Sequence, residues 1–372
     1  MTAVRAEVHE GRAAIEALAP ALDSLHRRSG GPITSRLPWV RAWLDTHDVE
    51  PIAVVVRPSG GTEIAAALLV AVSTRAGLRR ITLAGHRLSD HTRTGAEAGP
   101  TARTLADGLV EAIGRRTGPW HLHLDHLDPN EPLIEAIGRV FEINAIGPGQ
   151  LSLATEFGTD RTFRAYTNSK YRDNLRRSTV LIGKEGLRHR IDHTVDRDGI
   201  AARLPDLEAV RQMRDLDVGV VSELDADGGR FWRAAVSAMA AGGDLALHEL
   251  RIDDRLAAYV VSLRDDRTMH LWDGRIDPAL ARFAPGSLLH AQLLQDGLAD
   301  PTIDRIDWGR GDSPYKRKLA NLELPSVDIH AWSSASLKRL SGAWLDGRRR
   351  FVQLRSEHQW VGHAWARVRS RT

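Results

Sequence analysis

The sequence predicts an α/β protein of two tandem modules of like design, each a mixed, mostly antiparallel sheet flanked by helices, followed by a helical tail. Three observations carry this. One order of patterns, helix, strand, strand, strand, helix, strand, occurs once in each half of the chain. Between the halves, Gly147, Pro148 and Gly149 break the pattern with consecutive turn formers. The length of 372 residues at 42% hydrophobic content exceeds what one ordinary domain holds. The expected divisions are residues 1–148, 149–332 and a tail at 333–372.

In the first half, the aromatic helix pattern LPWVRAWLDTH from Leu37 leads into two strand-like runs joined at Ser59, Gly60 and Gly61. A third strand from Leu78, a helix over Thr101 to Arg116 and a strand over Pro119 to Leu127 complete the module. The second half repeats the order. GRFWRAAVSAMAAGG is its helix, Asp244 to Asp266 holds two strands about an acidic turn, and RTMHLWDG, SLLHAQLLQDGLAD and TIDRIDWGR follow. The hairpins imply antiparallel pairing, and each later helix implies one parallel crossover. The tail carries nine Lys/Arg against two acids, with Leu340, Trp344, Phe351, Leu354, Val361, Trp365 and Val368 at near-helical spacing. It reads as a basic amphipathic helix with one packed face.

The absence of cysteine excludes disulfides, thiolate metal sites and a cysteine nucleophile. No apolar run approaches the roughly 20 residues of a membrane span, and the first residues, MTAVRAEVHEGRAAIEALAP, carry acids where a secretory signal would be basic and apolar. A cytoplasmic protein without stable membrane insertion is expected. The formal net charge of +3 is uneven, because the tail alone supplies about +7 and could contact RNA.

In an open α/β sheet, ligands gather at the carboxyl ends of strands beside the start of the crossover helix. In the second half that place reads IDPALARFAPGSLLHAQLL. Pro285 and Gly286 permit a tight turn, Ser287 is a candidate cap, and the first free N–H groups, near Gly286, Ser287 and Leu288, can receive a phosphate, with Arg282 adding charge. An ordinary helix start punctuated by Pro and Gly is the plainer reading of the same residues.

The order strand, GRIDPALARFAPGSLL, strand, DWGRGDSPYKRKLA resembles the GNAT acyltransferase superfamily, in particular its two-module CelD/BcsL-type branch, related to the FemABX aminoacyl transferases. SKYRDNLRRS from Ser169, LPWVRAWL from Leu37 and LAGHRLSDH from Leu83 agree with it. The resemblance implies two tandem GNAT-like modules, the second catalytic. It also implies an acyl donor lying in a V between the fourth and fifth strands, with its pyrophosphate on the helix start. The usual phosphate loop departs here to Arg282 and Gly286, four residues apart.

Attack of an amine on a thioester or ester needs a base, oxyanion stabilisation and an acid for the leaving group. Tyr315 is the candidate acid, and Asp312 and Asp273 are the candidate bases. Arg310 and Lys316 are candidates to hold an anionic substrate. Alternation along TMHLWDG places His270 and Trp272 on one side, the latter a substrate-binding candidate, and Met269, Leu271 and Asp273 on the other. SKYRDNLRRS starts a helix capped by Asn168 or Ser169, and the resemblance places Lys170, Arg172 and Arg176 where phosphates gather; a solvated basic face is the plainer account.

The expected activity is N-acyl transfer from acyl-CoA, as a co-substrate rather than a permanently bound cofactor, to a small-molecule or peptide amine. Aminoacyl-tRNA is the alternative donor, with tRNA contacting the tail. HLHLDH, from His121 to His126, matches the H-x-H-x-D-H string of metallo-β-lactamase-fold zinc hydrolases but also fits a half-buried strand, and no metal site is assigned. A non-catalytic binding module is the remaining alternative.

Overall fold

The structure, a computed structural model, describes residues 3–86, 92–219 and 229–342. They form two compact units: one holds the described residues up to Gln150 together with those from Pro325 onward, and the other holds Leu151–Leu324. The first unit contains a sheet ordered β1-β2-β3-β4-β5-β14-β6. Its strands are β1 (Val4–Glu10), β2 (Glu50–Pro58), β3 (Ala66–Arg75), β4 (Leu78–Leu83), β5 (Trp120–Leu127), β6 (Asn144–Pro148) and β14 (Val327–Trp332). Helices α1 (Arg12–Ala17), α2 (Ala19–Ser29) and α3 (Leu37–Thr46) precede β2, and α4 (Pro100–Gly114) and α5 (Leu133–Val140) flank β5 in sequence. Leu105, Ala106, Leu109 and Ile113 of α4 recur at helical spacing and bury against Val54, Leu68 and Ile81 of the sheet.

The second unit has the sheet β13-β7-β12-β11-β10-β9-β8. Here β7 is Ser152–Glu156, β8 His189–Thr194, β9 Leu245–Ile252, β10 Arg255–Asp265, β11 Thr268–Ile276, β12 Arg305–Arg310 and β13 Leu322–Leu324. Its helices are α6 (Ser169–Lys184), α7 (Arg197–Asp217), α8 (Arg230–Gly242), α9 (Pro285–Ala299) and the single turn α10 (Pro314–Arg317). The acidic hairpin turns expected around β10 place Asp253 and Asp266 at φ 51° and 41°, a left-handed region that Asp tolerates better than most side chains.

The internal repeat is visible strand for strand. In each sheet the first four strands pair antiparallel in sequence, and the fifth joins the fourth in parallel, β4 with β5 and β11 with β12. The sixth positions are exchanged. After β6, seventh in the first sheet, the chain supplies β7, sixth in the second; after β13, seventh in the second, it supplies β14, sixth in the first.

This corrects the expectation that the second module runs to residue 332. Strand β14 pairs antiparallel with both β5 and β6, and Ile329 and Ala331 join the first core fully buried. Alternation in VDIHAW marks a strand with one apolar face but carries no information about which sheet receives it. Of the expected tail helix, residues 335–342 are helical, and Leu340, assigned to its packed face, is 69% exposed. The remaining tail positions, Arg348, Arg349 and Arg350 among them, and the His91 end of LAGHRLSDH lie outside the described residues. Among the described residues no helix is long and apolar enough to cross a membrane.

Candidate active site in the second unit

The parallel ladder between β11 and β12 consists of three pairs, ending at His270↔Asp307, although the strands run on to Ile276 and Arg310. Both arms are irregular beyond that point. On β11, Val261 of β10 faces Asp273 while Ser262 faces Leu271, so Trp272 is an extra residue in a bulge. On β12, the register with β7 shifts between Asp307 and Arg310, and Gly309 takes φ 76°. A Cβ at Gly309 would stand 3.0 Å from the Leu271 carbonyl oxygen, so glycine lets the strands approach where the opening begins.

The bulge changes which side chains share a face. Met269 and Leu271 pack into the core that contains α9, as alternation requires. Asp273 instead turns to the opposite face, where Arg211 of α7 and Trp232 of α8 meet it, and Trp272 contacts Phe231 of α8 edge-on at 6.4 Å between ring centroids. The expected grouping of Met269, Leu271 and Asp273 is therefore broken after Leu271.

Asp273 does not stand as a base. It is 7% exposed and accepts from Trp232 Nε1 at 2.9 Å, Tyr259 Oη at 2.9 Å and Arg275 Nη1 at 3.1 Å, with Arg211 Nη1 at 2.8 Å. Burial works to raise its pKa, but the two guanidiniums and the two neutral donors outweigh burial and hold it below the usual range. Asp312 is likewise engaged. Its oxygens accept from Arg317 Nε and Nη2 at 2.5 and 2.8 Å on an exposed surface, and Arg317 lowers its pKa.

Tyr315 is the second residue of α10, the turn after β12. It is 43% exposed, and one ring face stacks on His290 of α9, centroids 4.9 Å apart and planes 14° apart. His290 also meets Trp308 edge-on at 5.7 Å. Burial raises the Tyr315 hydroxyl above the ordinary phenol range, opposed by the nearby Ser313 and by the Arg275 charge. His290 is pushed down to about 4 by burial and by Lys316, so it is neutral through the physiological range. Lys316, expected to hold an anion, is 7% exposed, and its ammonium donates to the carbonyls of Gly309 and Arg310 at 2.9 and 2.5 Å. It closes the end of β12 instead. Arg310 is half-buried at that same end.

The start of α9 offers less than the sequence suggested. Ala284 occupies the N-cap at φ 49°, Pro285 has no N–H, and no side chain caps the helix, so Ser287 is its third residue rather than its cap. The N–H groups of Ser287 and Leu288 both donate to the Ala284 carbonyl, at 3.0 and 3.2 Å. That leaves Gly286 with the outward N–H of the three expected. A Cβ on Gly286 would meet Ile276 Cγ2 at 3.1 Å, so packing alone already favours glycine. Leu288 belongs to the core. Arg282 pairs with Glu185 and lies 4.6 Å from the Phe283 ring centroid.

Helix α6 lies beside this start. Asn168 caps it, accepting from Tyr171 N–H at 2.8 Å, and Tyr171 Oη donates to the Ser287 carbonyl at 3.1 Å. Lys170 is exposed, Arg176 pairs with Asp173 at 3.3 Å, and Arg172 folds back onto the Thr167 carbonyl. The three basic residues are thus a largely solvated face, with Arg172 spent on the helix entry. In the first unit, HLHLDH is strand β5. His121 Nε2 lies 3.0 Å from His330 Nδ1 of β14, and among the described residues no group of three or more ligating side chains is placed to hold a metal.

Sequence reasoning missed His290, Tyr259 and Arg211. The only signal for His290 was its place four residues after Gly286, on the same helix face; nothing local links Arg211 or Tyr259 to Asp273, which they meet only in the fold.

A mixed seven-stranded sheet whose fourth and fifth strands run parallel and then part beside a helix start defines a GNAT-type acyltransferase fold. Residues 169–317 match the family described as an acetyltransferase (GNAT) domain. The crystal structure of FemX superposes with a TM-score of 0.62 at 8% identity, over 87% of this chain and 98% of that one. A conserved protein of unknown function from Bacteroides thetaiotaomicron VPI-5482 gives 0.58 at 9%, over 84% and 97%. A tandem GNAT protein from the clavulanic acid biosynthesis pathway gives 0.50 at 14%, over 89% and 99%. No curated protein matches the sequence. Residues 169–317 thus match the GNAT family, and the chain as a whole shares the two-module fold of FemX and the tandem GNAT protein.

Proposed function

We propose that the chain is a cytoplasmic N-acyltransferase that moves an acyl group from acyl-CoA to the amine of a small molecule or peptide, using the opening between β11 and β12. The observation that carries this reading is the ladder that stops at His270↔Asp307 while both strands continue. An extended amide-bearing donor can lie in such an opening as an added strand would, chiefly along β11, since Lys316 already holds the Gly309 and Arg310 carbonyls of β12. Tyr315, beyond the end of β12, then delivers a proton to the leaving thiolate as the amine attacks the carbonyl carbon and the carbon–sulfur bond breaks, and the tyrosinate regains its proton, through solvent, from the nitrogen as it becomes an amide. Asp273 and Asp312 are both bound to guanidiniums, so the amine enters as the free base. Its rate should rise tenfold per pH unit below the amine's own pKa.

Calorimetric titration with CoA and acetyl-CoA tests the donor. Gly286→Glu places a carboxylate where pyrophosphate would lie and should weaken binding on the order of 10²-fold or more. Gly286→Ala controls for the Ile276 contact. Arg282→Ala should cost at most about 1 kcal/mol, because Arg282 is already paired with Glu185.

The α9 start weakens the CoA reading, since of the three expected N–H donors only Gly286 is not bonded to Ala284, and aminoacyl-tRNA is the second donor to test. If folded Gly286→Glu binds CoA like the unaltered protein, or neither binds it, this second reading goes ahead. Neutralising Arg348, Arg349 and Arg350 together should then weaken tRNA binding and flatten its salt dependence.

A further inference from the structure

We propose that His290 is a positioning residue for Tyr315, its imidazole ring serving as the platform that fixes the phenol ring beside the β11–β12 opening. The inference rests on the acyltransferase reading for its catalytic meaning but on geometry for its substance. Tyr315 sits in a one-turn helix of four residues, Pro314–Arg317, too short to hold a ring in place by its own hydrogen bonds. The parallel stack on His290 supplies the missing constraint, and His290 is itself braced by the edge of Trp308, whose Nε1 donates to Thr155 Oγ1 at 2.8 Å. A rigid sequence of contacts thus runs from β7 and β12 through α9 to the phenol. His290 lies one turn beyond Gly286 on α9, so the same helix carries the proposed donor seat and the platform.

The charged and titratable groups facing this pair are few. Lys316 of α10 lies 6.0 Å from the Tyr315 ring centroid and adds to the burial that keeps His290 neutral. Arg275 of β11 and Ser313 in the loop act on the Tyr315 hydroxyl. Burial and the Lys316 charge oppose a second cation here, so the imidazole stacks in its neutral form.

The first readout needs no donor. Absorbance titration of the phenols, unaltered protein minus Tyr315→Phe, isolates Tyr315 from Tyr166, Tyr171 and Tyr259, the latter two being held above the usual range by burial. In His290→Ala the phenol face opens to water, and the Tyr315 midpoint should fall toward 10; in His290→Phe the stack is kept, and the midpoint should stay raised. In whichever transfer assay Tyr315→Phe impairs, His290→Ala should lower kcat on the order of tenfold with KM little changed, and His290→Phe should restore it. A Tyr315 midpoint equal in His290→Ala and the unaltered protein overturns the proposal, as does a loss of turnover that His290→Phe fails to restore. If the midpoints shift as described but Tyr315→Phe leaves transfer intact, the platform stands and the acid role of Tyr315 falls.

Discussion

The two units solve the same strand-parting problem in opposite ways. In the first, the β4–β5 ladder runs from Arg79↔Trp120 to Thr82↔His123, and where β4 ends the returning chain takes its place. Thr92 bridges Leu127 in parallel, its N–H donates to the His126 carbonyl at 2.9 Å, and Thr94 donates to Glu131 from both its N–H and its hydroxyl. In the second unit, the segment after β11 bonds back toward β10, through Asp277 N–H to the Ala257 carbonyl at 2.9 Å, and coils into a short 3₁₀ turn at Pro278–Phe283. Among the described residues no backbone from that segment returns to β12. Among the described residues the duplicated sheet therefore keeps its strand opening in the second unit, where the connecting loop is tied elsewhere.

Ways to break this comparison range from whole strands to single charges. Ending the chain at Leu324 removes β14 from between β5 and β6, with Ile329 and Ala331 lost from the core. The first unit should then fail to fold, seen as rapid proteolysis of its residues, since the loss exceeds the roughly 5–15 kcal/mol that holds a domain. Asp273→Ala leaves Arg211, 3% exposed, without its principal counter-charge, and should cost about 3–5 kcal/mol in chemical denaturation of the second unit. Gly309→Ala must hold a side chain at positive φ against the Leu271 carbonyl, an expected loss of about 1–3 kcal/mol.

Acid should distinguish the units more gently. Burial, the leading cause at each site, pushes His26, His121 and His330 of the first unit down to about 4, 3 and 4, and His248 and His290 of the second to about 3 and 4. The unfolded chain binds protons at these sites near pH 6.5 while the folded one does not, so stability declines as pH falls from about 6.5 toward 4. Each histidine contributes at most about 1.4 kcal/mol per pH unit, and the first unit, with three, should melt earlier in acid. The smallest effect is at Asp312→Asn, an exposed pair worth about 0–1 kcal/mol, with turnover changed less than about twofold if Asp312 is no base.

The repeat, the parallel crossovers and the acidic turns were legible because they rest on local periodicity and turn chemistry. The start of α6 was legible for the same reason, although the choice of Asn168 over Ser169 as its cap was not. The destination of β14 was not, because alternation fixes a face and not a neighbour. Asp273 was misjudged because one extra residue at Trp272 reverses the alternation, and a bulge leaves no mark in a single sequence. Lys316 and Asp312 sit in the expected cluster, but which cation meets solvent and which meets a carbonyl is decided by the turn after Gly309.

The central claim is that transfer occurs in the second unit's opening with Tyr315 as the acid. Single-turnover transfer by Tyr315→Phe, with acetyl-CoA and aminoacyl-tRNA offered in parallel as donors and amine acceptors present, tests it most directly. The account predicts a rate lower by roughly 10²-fold on the productive donor with the donor's Kd unchanged. An unchanged rate would contradict it.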